Sequence, residues 1–223
     1  MKLSILFLSA GLLLPGIRSL AQEPGHRTYI KLNPTTLVNE LDVYLEQELN
    51  TNTSVEIGAG GIYTDYWDYW LNQTDFGQIK PNLSRYQYAN GRGVAGRLGL
   101  RYYVISPYKN DATGRGTYFE PMILYKQIWY PSDKQTINGK DYADRGYKYI
   151  MGLQLLIGRE RQHGKFVIDK YIGLGVKAKT YRFTNYVSNS SGGVDRSSTR
   201  TTNWLPSIQL GIKIGMGLQK HGR

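Results

Sequence analysis

The chain has 223 residues, with 28 Lys and Arg against 17 Asp and Glu, a formal net charge of +11 and no cysteine. Without cysteine it has no disulfide, no thiolate nucleophile and no sulfur-ligated metal site. The 26 glycines and 19 tyrosines suit β structure whose strand ends are wet.

The N-terminus has the composition of an export signal. A lysine follows the initiating methionine, residues 3–16 are apolar, and small residues close the segment before Gln22. We therefore expect a secretory signal peptide over residues 1–21 and one mature domain over residues 22–223. After the signal no apolar run approaches the ~20 residues of a membrane-spanning helix, which excludes a helical membrane protein but not a β-barrel.

Eight segments alternate apolar and polar residues with the period of two that predicts β-strands. The last of them contains SIQLGIKIGMGL at 207–218, in which every second residue is large and apolar. No segment has helical periodicity and no composition break divides the chain, so we predict one all-β domain. The strands are predicted at residues 27–36, 40–49, 53–66, 92–106, 117–130, 146–160, 166–184 and 201–219.

The links between the predicted strands differ in length. Those at 67–91, 131–145 and 185–200 are long, whereas those at 50–52 and 161–165 are short. The long links mostly fall at one end of the strands. This asymmetry, with an even strand number, is typical of an outer-membrane barrel with short periplasmic turns and longer extracellular loops.

Alternation also sorts the side chains onto an apolar face and a face of charged residues and glycine. Two features favour lipid outside and charge inside: glycines that leave room for long charged side chains in a narrow lumen, and aromatic residues near the long loops. Because an unpaired buried charge costs several kcal/mol, we predict an ion-pair network that fills the lumen. The predicted network consists of Asp42, Glu46, Glu56, Arg97, Arg101, Glu120, Lys126, Lys177 and Lys213.

With this strand plan, export signal and closing alternation, the chain resembles the small eight-stranded outer-membrane β-barrel proteins of Gram-negative bacteria. It is similar in plan to the transmembrane domain of outer-membrane protein A and to OmpX. The resemblance implies an eight-stranded antiparallel up-and-down transmembrane β-barrel with a side-chain-filled polar lumen. It also implies contact with outer-membrane lipids and lipopolysaccharide. The chain departs from the family by ending in LQKHGR, where such barrels commonly end in an aromatic residue.

The sequence offers no catalytic constellation. Some members of the family modify lipid A, but the mature chain's histidines, His26, His163 and His221, all fall at the predicted periplasmic end, where no general base is needed. We predict a non-enzymatic monomer without cofactor, metal or nucleic-acid partner, whose role is structural or surface-binding. A lipid A-modifying enzyme, a small gated channel and a soluble exported barrel that binds an apolar ligand stay open as alternatives.

The loop at 65–90 is the segment most informative about a partner. Its aromatic rings stand beside Asp and Asn side chains, a mixture that suits an extracellular glycan or protein ligand. The favoured interpretation is instead that 66–70 continues a strand past the membrane and anchors it at the interface. Asp65 and Asp68 could bind a hard cation, although a polar loop explains them as well. The possible surface-binding residues are Tyr66, Trp67, Tyr69, Trp70 and Phe76.

Overall fold

The computed structural model describes residues 27–50, 52–73, 83–104, 116–137, 139–144, 146–189 and 193–218. Its strands are β1 (Thr28–Leu32), β2 (Glu40–Glu48), β3 (Thr53–Ile62), β4 (Arg92–Tyr103), β5 (Thr117–Trp129), β6 (Asp133–Ile137), β7 (Lys140–Asp144), β8 (Gly146–His163), β9 (Phe166–Ser188) and β10 (Val194–Leu218). Its helices are a 3-10 turn (Pro34–Thr36), α1 (Tyr66–Gln73) and α2 (Arg85–Ala89). No helix among the described residues is long and apolar enough to cross a membrane.

Eight of the strands form a ring in one antiparallel sheet, with the order β1-β10-β9-β8-β5-β4-β3-β2. The ring returns on itself because β1 pairs with β10 on one side and with β2 on the other. Strands β6 and β7 form a separate hairpin. The prediction of eight antiparallel strands in one sheet is therefore confirmed.

The two ends of the ring differ. The turn end carries the tight connections between β2 and β3 and between β8 and β9, together with the start of β1 and the end of β10. The loop end carries the helices α1 and α2, the β6–β7 hairpin and the connection from β9 to β10. The predicted long links at 67–91 and 131–145 lie at the loop end, whereas the link between β4 and β5, which runs from 104 to 116, lies at the turn end.

Three predicted features are wrong in detail. The chain does contain helices, α1 and α2, in the link where no helical periodicity stood out. Strands β9 and β10 continue to Ser188 and from Val194, so the predicted link at 185–200 is mostly strand. The sequence hides this extension because side chains there are polar on both faces. The first strand ends at Leu32 because Asn33 caps the 3-10 turn, accepting a hydrogen bond from the Thr35 amide, and Pro34 begins it.

The ring inverts the usual distribution of side chains. Large apolar side chains point outward and are exposed, as for Ile208 (72%), Leu210 (70%) and Met151 (61%). The inward positions of the same strands carry charged side chains, and Arg101, for example, is fully buried at 0% exposure. The core of the molecule is therefore a polar interior enclosed by an apolar wall.

Tyrosine rings lying over glycines fill much of this interior. Each ring lies directly opposite a glycine of the neighbouring strand, and it occupies the space that the absent side chain of the glycine leaves. A Cβ on Gly158 would lie 2.3 Å from the Tyr118 ring, and one on Gly211 would lie 2.3 Å from the Tyr171 hydroxyl. The cross-strand pairs are Tyr29–Gly217, Tyr44–Gly58, Tyr118–Gly158 and Tyr171–Gly211. The glycines thus make room for aromatic rings as well as for the charged chains that the sequence suggested.

Candidate functional site

A cluster of buried charges crosses the interior nearer the turn end, and we call it the turn-end ion cluster. All eight strands of the ring contribute one charged residue to it, so its ion pairs tie the whole circumference together. Its members, in chain order of the strands, are Lys31, Glu46, Glu56, Arg101, Glu120, Glu160, Asp169 and Lys213.

Arg101 is the centre of the turn-end ion cluster. Its guanidinium lies within ion-pair distance of all five carboxylates of the cluster, at 2.8 Å from Glu56 and Glu120, for example. The centroid of the Tyr118 ring lies 3.9 Å from the guanidinium carbon, and the Tyr118 hydroxyl donates a hydrogen bond to Asp169 at 2.7 Å. A planar fork that donates in several directions suits this many partners better than a single ammonium does.

Lys31 and Lys213 are the other two basic residues of the cluster. Lys31 contacts Glu46 and lies 2.6 Å from Glu160, and Lys213 contacts Glu56. Because five carboxylates stand against three basic groups, the cluster has an excess of negative charge. Neutral donors supply further hydrogen bonds, since the Tyr103 hydroxyl donates to Glu46 at 2.7 Å.

A second group of charges, the middle cluster, lies between the turn-end ion cluster and the loop end. Arg97 donates to Glu40 and to Asp42 at 2.6 Å each. Lys126 donates to both oxygens of Glu40, at 2.7 and 2.6 Å. Lys177 extends toward the same region, and no ion pair involves it among the described residues.

The link between β3 and β4 folds over the loop end as a cap, which comprises residues 63–73 and 83–91. Ser84 begins α2 with a capping box, in which its hydroxyl accepts from the Gln87 amide and the Gln87 side chain accepts from the Ser84 amide. The Asp65 amide donates to the Tyr88 carbonyl at 3.0 Å, which joins the two halves of the cap. Tyr88 packs with Ile62 and neighbouring apolar side chains beneath the cap.

Two aspartates of the cap are buried against lysines of the wall. Asp68 of α1 contacts Lys179, lies 3.0 Å from Lys148, and accepts from the Tyr181 hydroxyl at 2.6 Å. Asp65 contacts the same Lys148. The cation site that the sequence allowed at these aspartates is therefore filled by lysine ammonium groups.

The pKa values of the cap follow from these contacts. Burial alone would raise the pKa of Asp68, but Lys148 and Lys179 outweigh it and hold the pKa below the ordinary value. Burial raises the pKa of Asp65, and the attraction of Lys148 offsets it only in part. Burial and the charge of Asp65 also raise the pKa of Tyr130, so its phenol stays protonated and donates to Asp65.

The structure brings most of the predicted network residues together. Asp42, Arg97 and Lys126 lie in the middle cluster, whereas Lys177 has no carboxylate partner among the described residues. The members in the turn-end ion cluster are Glu46, Glu56, Arg101, Glu120 and Lys213. Sequence reasoning missed Lys31, Glu40, Glu160 and Asp169, although each occupies an inward position in the alternation of its strand.

The aromatic residues at 66–70 do not continue a strand, which corrects the favoured interpretation. They belong to α1, where Trp67 is exposed and Tyr66 stacks on Tyr69 at 5.7 Å between ring centroids. Tyr69 packs against Tyr88 within the cap. Of the predicted surface-binding residues, the side chain of Trp70 and the whole of Phe76 lie outside the described residues.

The predicted absence of a general base rests on histidines that are mostly not described. His163 is exposed at the end of β8, at the turn end, while His26 and His221 lie outside the described residues.

No family model, no curated protein and no solved structure matches the chain.

Proposed function

We propose that this chain is a non-enzymatic integral β-barrel protein of a bacterial outer membrane, exported by its N-terminal signal and closed inside by ion pairs. One observation carries the proposal: the outward face is apolar and exposed, while the inward face is charged and buried. A soluble protein would be arranged the other way round.

The energetics of this arrangement favour a lipid surrounding. Apolar surface left in water costs roughly 25 cal/mol per Å², so a continuous band of exposed Ile, Leu, Val and Met is unfavourable in solution. The same band in hydrocarbon loses nothing. Backbone groups that face lipid must be paired within the protein, and strands that pair edge to edge in a ring meet this condition. The ring meets it except along residues 194–213 of β10, whose second edge has no strand partner among the described residues.

The lengths of the ring strands other than β1 agree with the proposal, whereas β1, with five residues, is shorter than a membrane span. A tilted transmembrane strand needs about 9–11 residues. Strands β2 to β5 have 9, 10, 12 and 13 residues, whereas β9 and β10 have 23 and 25. The longer pair would project beyond the bilayer at the loop end, where the outward side chains of β10 change from Ile208 and Trp204 to Arg200 and Arg196.

The role we propose is structural support combined with surface binding at the loop end. Exposed aromatic rings on the cap, Trp67 and Tyr86, offer faces for a glycan or a protein ligand. Lipopolysaccharide and outer-membrane lipids would contact the wall.

Fractionation of cells that express the chain tests the proposal. The protein should stay with outer membranes after an alkaline wash and should migrate differently on gels before and after heating. An epitope at Asn189, in the link between β9 and β10, should be accessible on intact cells. A protein recovered as a dissolved monomer without detergent would refute the membrane location, and an inaccessible epitope would refute the orientation.

A further inference from the structure

The wall of the ring is incomplete beside β10. Strand β1 has only five residues and pairs with Ile214 to Leu218 of β10. The remaining residues of β10, 194–213, pair with β9 along one edge only, and no described strand pairs with their other edge. Pro206 lies in this part of β10, as expected where a strand edge needs no amide donor. The link at 33–39 crosses this gap without forming a ladder.

A cavity of about 310 Å³ lies behind the gap. It runs from the rim, formed by Thr36 on one side and Ser207 to Leu210 on the other, to the middle cluster. Glu40, Arg97, Lys126, Gln154 and Lys177 line its inner part. The cavity therefore connects the charged interior with the outward face of the wall.

The inner part of the cavity carries more positive than negative charge. Glu40 and Asp42 neutralise Arg97 and Lys126, whereas Lys177 makes no ion pair among the described residues. Two buried polar atoms of the lining also have no hydrogen-bond partner in the described structure: Nε of Arg97, a donor, and Oε1 of Gln154, an acceptor. A buried polar group without a partner is costly, so a ligand whose head paired with these atoms would remove that cost.

The rim of the cavity is apolar where it meets the outside. Ile208 and Leu210 are 72% and 70% exposed on the outward face of β10. A cavity of this size is at the lower end of the range for small-molecule pockets, so it would hold a headgroup and a few methylenes but not a whole lipid. The rest of an acyl chain would have to lie along the outer wall.

From these observations we propose that the gap beside β10 is a lateral binding site for a single-chain amphiphile with an anionic head. The anionic head accepts hydrogen bonds from Lys177 and Arg97, and a phosphate head that keeps one proton can also donate to Gln154. The acyl chain leaves between the link at 33–39 and β10 and lies on Ile208 and Leu210. This inference rests on the proposed membrane location, since only there does the exposed chain meet hydrocarbon.

Binding by the purified full chain in a neutral detergent tests the site. Dodecanoate and dodecyl phosphate are titrated separately, and dodecanol and inorganic phosphate serve as the chain-only and head-only probes. We expect at least one of the two anionic amphiphiles to bind, and the stronger one identifies the head. Lys177→Gln should weaken that binding about tenfold, the equivalent of about 1.4 kcal/mol.

Lys170→Gln is the matched control, because Lys170 lies on the outward face of the same strand and is exposed. It removes the same charge but should leave binding unchanged. Equal binding of dodecanol, equal binding of inorganic phosphate, or an equal effect of the two lysine variants would each overturn the proposal. Both variants are first shown to keep the heat-dependent gel shift, so a failure of the site is distinguished from a failure to form the barrel.

Discussion

At the scale of single residues, Arg101 is the side chain on which most of the interior depends. It meets five carboxylates in a region without exposure to solvent. Its partners could not be buried together without it, because each carboxylate would face only other negative charges and two lysines. The sequence identifies Arg101 as inward-facing but cannot indicate that it is the hub.

Replacing Arg101 by Gln should therefore destabilise the protein strongly. Removing one partner of a buried ion pair costs about 3–5 kcal/mol, since the opposing charge is left uncompensated. Urea unfolding in lipid vesicles, followed by tryptophan fluorescence, measures the change. Arg92→Gln is the control, as Arg92 is exposed on the same strand, and should stay within about 0.5 kcal/mol of the parent. Equal effects of the two variants would show that the buried carboxylates do not depend on Arg101.

Asp68 gives the cap a defined dependence on pH. Its pKa is lower in the folded cap than the value of about 3.9 in an unfolded chain, so the ionised carboxylate stabilises the cap at any pH above that value. The contribution is lost as the pH falls below about 4 toward the folded-state pKa. Asp68→Asn should remove it, and the cap of this variant should exchange its amide hydrogens faster at neutral pH.

Hydrogen exchange of the peptide that contains the Asp65 amide measures this effect, because that amide bonds to the Tyr88 carbonyl. The difference in protection between the parent and Asp68→Asn should be constant from pH 7 to pH 5 and should shrink below about pH 4. Asp141→Asn, an exposed change on the β6–β7 hairpin, is the control. A difference that grows on acidification would contradict the assigned direction of the pKa shift.

At the scale of elements, tyrosine rings occupy the space that glycines leave on the neighbouring strand. Gly158 faces Tyr118, and Gly211 faces Tyr171. In each pair the ring lies flat where a Cβ would stand. A glycine has no side chain to pack, but the tyrosine ring of the neighbouring strand fills the space and supplies the packing.

Gly158→Ala should destabilise the sheet by about 1–3 kcal/mol, the usual cost of overfilling a packed interior. Its Cβ would lie 2.3 Å from the Tyr118 ring and would push the hydroxyl away from Asp169. Gly96→Ala is the matched control, because no atom lies within 4 Å of the added Cβ. Urea unfolding in vesicles compares the two variants, and equal stability would exclude a packing role for the pair.

The sequence predicts the strands but not the cap, for a physical reason. Alternation is strong wherever one face is apolar and the other polar, as in β10 at Ile208 to Leu218, and it reports the ring directly. The cap lacks such a contrast. Asp68 and Tyr69 of α1 are fixed by long-range contacts with Lys179 and Tyr88, which no local pattern reveals. The ends of β9 and β10 at the loop end were not predicted either, because their side chains are polar on both faces and show no alternation.

At the scale of the whole molecule, the interior is occupied at three levels along the ring axis. The turn-end ion cluster has an excess of negative charge, the middle cluster an excess of positive charge, and the two aspartates of the cap balance Lys148 and Lys179. An eight-stranded ring is only wide enough for side chains to fill its interior. Ions would have to displace buried pairs at the turn-end level, where Arg101 and Lys31 are fully buried.

A membrane-inserted molecule should consequently be closed to ions. We expect planar bilayers that contain the protein to stay at the background conductance at neutral pH, because the turn-end ion cluster leaves no continuous water path. Insertion is verified on the same bilayers with a fluorescent thiol label on an Asn189→Cys variant. The chain has no other cysteine that could react with the label. Discrete conductance steps at neutral pH would show that the cluster opens. In that event Arg101→Gln should change the size or the ion selectivity of the steps, whereas Arg92→Gln, away from the interior, should not.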